Sequence, residues 1–145
     1  MRSMDSIQSN ESIVSTASKN ESLAMKMILA IGAGSFLGGI SRYLLSLLIQ
    51  SKTTSPFPWH TLAVNIIGCF LIGIVFGIFE KGHMSHEWKL FLATGVLGGF
   101  TTFSAFSVET FVLLREGYAL YALLYIFASV LVGLVTTYLG YSLFK

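Results

Sequence analysis

After a polar opening segment, the apolar positions of this chain run together instead of alternating. Four long stretches, at about residues 27–50, 59–79, 88–114 and 118–144, carry very little charge. An α-helix needs about 20 mostly apolar residues to cross a hydrocarbon layer of about 30 Å. Each stretch meets that length, and the connectors are short. The pattern predicts an all-α membrane protein, an up-down bundle of four transmembrane helices with no internal repeat of the whole unit.

The small residues refine this outline. In the first span Gly34 and Gly38 are four apart, as are Ser35 and Gly39, and the second span repeats the spacing at Gly73 and Gly77. Small residues at that interval let helix backbones approach closely inside lipid. Pro56 and Pro58 end the first helix, and Trp59 opens the second at a depth where Trp is favoured. The third span is different. Gly95, Gly98, Gly99, Thr101 and Thr102 crowd its centre, and each Gly costs about 1 kcal/mol relative to Ala in a helix. The sequence therefore predicts that this helix is interrupted. Backbone freed inside a membrane must find partners or line a watery cavity, so the break is a candidate ion site. In the fourth span Tyr125, Ser129 and Gly133 follow at four-residue steps and share one face.

Composition changes the picture at one end only. With 11% charged and 54% hydrophobic residues the chain lacks the charged shell of a soluble domain. Residues 1–25, however, are rich in Ser, Asn and Glu. We expect this tail to be disordered or at most a frayed surface helix, preceding a four-helix transmembrane domain at 26–145. It does not read as a secretory signal peptide, and the first span is expected to direct membrane insertion. A net charge of +2 without a basic block gives no sign of nucleic-acid binding. Cys69 lies within the second span and reads as a packing residue. His83 and His86 read as exposed loop histidines, because a metal site needs about four ligands.

Few side chains remain to carry chemistry, and none forms an enzyme's acid–base or nucleophile set. Arg42 admits two readings, an attractor of anions in a water-filled vestibule or a snorkelling cation at an interface. Asn65 reads first as an interhelical hydrogen bond, with donation to an anion as the alternative. Phe103 and Phe106 share a face and by spacing alone are packing residues, although their ring edges are positive. Ser104, Ser107, Tyr125 and Ser129 add hydroxyls. Glu109 is expected near the far end of the third helix, solvated or paired with Arg115. This set, neutral or cationic apart from Glu109, suits anion conduction better than proton coupling.

Three fragments carry a family resemblance: GAGSFLGGISRY at 32–43, Asn65 within WHTLAVNIIGCFLIG, and GVLGGFTTFSAFS at 95–107. Together they resemble the Fluc (CrcB) family of fluoride channels from about Ile28 onward. The resemblance implies an antiparallel, dual-topology homodimer in a bacterial plasma membrane, with two fluoride pores lined by both copies. It places Asn65, Phe103 and Phe106 in the pore, Tyr125 and Ser129 along the fluoride track, and Arg42 at the vestibule. It also implies a structural Na+ held by the backbone carbonyls of Gly98 and Thr101 at the dimer interface. The implied function is passive export of cytoplasmic fluoride, relieving its toxicity, with membrane lipid as surroundings. Two positions depart from the pattern. Ala105 stands where many relatives have Thr, and Gly133 where some have Ser, so Ser104 and Ser107 are the expected substitutes.

Orientation is a point of tension. With a cytoplasmic N-terminus that side holds Arg2, Lys19, Lys26, Lys81, Lys89 and Lys145, against Lys52 and Arg115 on the other. The positive-inside rule then favours one insertion, whereas an antiparallel pair needs both. Two rivals stay open: a small proton-coupled exporter of the multidrug type, with Glu109 the only candidate for the membrane-embedded carboxylate it needs, and a non-conducting membrane scaffold.

Overall fold

A computed structural model of the chain describes the backbone of residues 2–144 and the side chains of residues 15–144. The side chains of Arg2, Ser3, Ser6, Ser9 and Ser12, and Lys145, lie outside the described residues. The described backbone is all helical apart from its connectors, and four helices are long and apolar enough to span a membrane. These are Ser15–Gln50, Trp59–Glu80, His86–Arg115 and Ala119–Ser142, so the chain is a multi-pass membrane protein. Apolar side chains such as Phe36, Leu48, Leu120 and Leu134 face outward, as lipid-facing positions should.

The first helix runs from Arg2 to Gln50 without a break, so the helix continues through the serine-rich segment. Extending a helix that a stable span has nucleated costs far less than starting one. Ser and Asn tolerate this at a modest penalty. Every side chain from Ser15 to Lys26 is exposed.

Packing pairs the first span with the opening half of the third, and the second with the fourth. Small residues set both seams. A Cβ on Gly38 would collide with the Val96 carbonyl, and one on Gly73 with the Thr137 carbonyl. Of the small pairs read from the first span, Ser35 does meet the third span, at Gly99, whereas Gly39 faces open space.

Two features bear on function. The third span begins as an α-turn at His86–Lys89, widens to π-helix over Leu90–Leu97, and returns to α at Gly98–Phe100. It breaks at Thr101–Thr102 and resumes as Phe103–Arg115. The fourth span carries a second π-helical stretch, Ala128–Val132. Sequence reasoning gave no sign of either wide stretch. At the other end a buried cluster of Leu62, Leu113, Ala122 and Tyr125, with Phe57 packed against it, ties the second, third and fourth spans together.

Candidate functional site

The break is built from two extended residues. Thr101 has φ −81° and ψ 160°, and Thr102 has φ −150° and ψ 119°. Thr101 N still donates to Leu97 O at 3.0 Å, but the extended geometry withdraws the Thr102 amide from the helical ladder, and inside a membrane it needs another partner. Asn65 supplies it from the second span: its Nδ2 donates to Thr102 O at 3.0 Å, and Thr102 N donates to its Oδ1 at 2.8 Å. Thr102 then caps the next helix, its hydroxyl accepting from Ala105 N at 3.2 Å. Arg42 Nη1 reaches across from the first span and donates to Thr101 O at 3.4 Å. The interhelical reading of Asn65 is therefore realised, but Nδ2 carries two hydrogens and this brace uses one.

A cavity of about 370 Å3 opens beside the break. Asn65, Gly98, Thr101, Phe103, Phe106 and Ser129 all line it, as do Cys69 and members of both π-helical stretches. Six residues predicted from sequence thus meet in one place. Phe103 is 79% exposed, and its ring lies 5.5 Å from that of Phe106. Ser129 Oγ is buried and has no hydrogen-bond partner. A buried unpartnered hydroxyl is costly, and its placement on a cavity wall marks a position where a ligand would be welcome.

The remaining predicted residues lie elsewhere. Arg42 and Ser104 line a second cavity of about 570 Å3, with Thr102 common to both. Ser104 is in hydrogen-bond contact with the Thr102 hydroxyl, and exposed Ser107 turns its hydroxyl back to Phe103 O at 2.9 Å. Tyr125 is fully buried between Phe57 and Phe106, with ring centroids 5.6 and 5.0 Å away.

Tyr125 leads to a polar centre that sequence reading missed. Its hydroxyl donates to Glu109 Oε2 at 2.7 Å, while Thr61 Oγ1 donates to Oε1 at 2.7 Å and His60 Nε2 lies 3.1 Å from the same oxygen. The expected pairing of Glu109 with Arg115 is corrected here. Arg115 is the exposed last residue of this helix and meets Glu116 at 3.8 Å. A carboxylate facing into the bundle takes donors from the facing helices instead. The signal available was the rule that an intramembrane carboxylate must have a partner, with His60 and Thr61 the polar pair at the start of the neighbouring span.

The Gly98 and Thr101 carbonyls fit a hard cation in part. Thr102 N and Ala105 N, their usual helical donors, are engaged by Asn65 and the Thr102 hydroxyl. Carbonyl oxygen suits sodium-like ions, and Arg42 already makes a long contact to one of the two. Two oxygens are too few for such an ion, so a site here needs further donors.

Residues 29–141 match the family model of CrcB-like proteins, described as camphor resistance (CrcB). The chain is 48% identical over 119 residues to a fluoride-specific ion channel FluC of Thermus thermophilus, covering 82% of this chain and 95% of the relative. It is 44% identical over 122 residues to the protein of that name from Rhizobium meliloti, covering 83% and 98%. A third relative so named, from Flavobacterium psychrophilum, is 46% identical over 122 residues, again with 83% and 98% covered.

Proposed function

The chain belongs to the CrcB family, and from that membership and the geometry of the helix break we propose that it is a fluoride-specific ion channel that lets fluoride leave the cell passively. The observation that carries this reading is the meeting of a braced helix break, two phenylalanine rings and an unpartnered hydroxyl in one cavity.

Fluoride is small and strongly hydrated, so a selective route must replace its water with closely placed donors. Three kinds are on hand. Asn65 keeps one amide hydrogen after bracing Thr102. Ser129 has its hydroxyl hydrogen to give. Phe103 and Phe106 offer positive ring edges. Arg42, on the neighbouring cavity, supplies the positive potential that draws an anion toward this set. Ser104 on the same wall stands in for the hydroxyl that Ala105 lacks, while Ser107 serves only if its bond to Phe103 O opens.

We further assign an antiparallel homodimer with two pores, each lined by both copies. Supporting this, the exposed ring of Phe103 and the open side of the break cavity leave a route that one chain encloses only partly. The Gly98 and Thr101 carbonyls of two copies would together hold a sodium ion, which supplies positive charge to satisfy freed carbonyl oxygens. Its role in this reading is structural.

The exporter reading loses ground because Glu109 is engaged by three neighbours from two helices, and no titrating carboxylate lines the break cavity. The function is tested in cells. Bacteria deprived of their own fluoride export should regain growth in fluoride medium when this chain is expressed, and should not when it carries Phe106→Ile. Failure of the expressed, membrane-inserted protein to protect would contradict the assignment.

A further inference from the structure

His60 takes no part in the route described above, yet it stands at a boundary. It lines the Arg42 cavity, and it also lines a third cavity of about 300 Å3 under the Thr53–Pro58 connector. Glu109 lines the same two, so the 3.1 Å His60–Glu109 contact is a shared wall between them. Both side chains are about three-quarters covered, at 24% and 22% exposure. The groups facing this pair come from every neighbouring element: Arg42 and Tyr43 from the first span, Glu116 from the end of the third, and Tyr125 from the fourth.

The charge sum at this wall depends on one proton. Thr61 and Tyr125 donate neutral hydrogen bonds to Glu109, so they hold its carboxylate without cancelling its charge. Neutral His60 can donate through Nε2–H and leave the wall at one negative charge. Protonated His60 keeps the same contact and brings the wall to zero. Arg42 draws an anion into this cavity in both states, and the wall opposes that pull only in the first. Histidine is the side chain whose ordinary titration falls between about pH 5 and pH 8, and a partly buried cavity wall is screened less than a surface.

We infer that His60 is a positioning residue that sets the charge of the anion vestibule through Glu109, so that fluoride passage speeds up as the medium becomes more acidic. The inference rests on the channel reading above. Its direction follows from the sign of the charge: a proton gained by His60 removes the wall's one negative charge, and a proton lost restores it.

The test measures fluoride efflux from vesicles holding the purified full-length chain, with equal pH on both sides, stepped from about pH 8 to about pH 5. Protein-free vesicles supply the leak of undissociated HF, which is subtracted. Efflux should rise roughly three- to tenfold toward acid. His60→Gln, which keeps a donor but cannot charge, should give a flat profile at the slow level. His60→Arg should give a flat profile at the fast level, provided each variant is monodisperse in detergent. A flat profile in the unmodified protein overturns the inference while leaving the channel reading standing, as does an unchanged acid rise in His60→Gln. Absence of fluoride flux at every pH overturns the channel reading and the inference with it.

Discussion

Two polar centres interrupt the apolar bundle, and they use their hydrogen-bonding capacity in opposite ways. At Glu109 both carboxylate oxygens are engaged, by His60, Thr61 and Tyr125 from the two facing helices. At the helix break Asn65 satisfies both backbone groups of Thr102, yet its second amide hydrogen and the Ser129 hydroxyl stay unspent beside a cavity. A membrane interior penalises unspent polar groups, so leaving them makes physical sense only where something arrives to use them. The first centre binds helices to one another, and the second is equipped to bind an ion.

Substitutions can break this contrast, and the largest effect is expected at Asn65. Asn65→Leu removes both partners of Thr102 and leaves two backbone groups unsatisfied, which costs about 2–6 kcal/mol. Thermal unfolding in detergent should move down clearly, and fluoride flux should fall by more than about tenfold. Next comes Tyr125→Phe, which keeps the ring between Phe57 and Phe106 but takes one donor from Glu109. The expected loss is about 1–3 kcal/mol of stability, with flux altered far less than in the Asn65 variant. A comparable collapse of flux would mean that the Glu109 centre belongs to the conduction route. The smallest stability effect is expected for Ser129→Ala, because Ser129 Oγ has no partner to lose. Its melting temperature should hold or rise slightly, while fluoride flux drops roughly two- to fivefold. A drop in stability there would show that the hydroxyl is a packing element.

The sequence carried the local half of this account. Four apolar runs placed the spans, and two glycines followed by two threonines located the break at Thr101–Thr102. Six of the predicted residues, from Asn65 to Ser129, share the break cavity. What stayed hidden was long-range or backbone in origin. The bond from Thr61 to Glu109 joins residues 48 positions apart, and the reach of Arg42 to Thr101 O spans 59. Neither follows from spacing along one helix. The π-helical stretches are a property of the backbone, and Leu90–Leu97 has no residue that announces one. Tyr125 was placed on the correct face by its four-residue step to Ser129, but its hydroxyl points to Glu109 and away from the cavity.

The central claim is that fluoride crosses through the break cavity, past Phe103 and Phe106. Efflux of fluoride and of chloride from vesicles containing the purified protein, followed with ion-selective electrodes, tests it most directly. The account predicts rapid fluoride release, no chloride release above protein-free vesicles, and loss of the fluoride signal in well-folded Phe106→Ile. Equal release of both ions, or fluoride release untouched by Phe106→Ile, would contradict it.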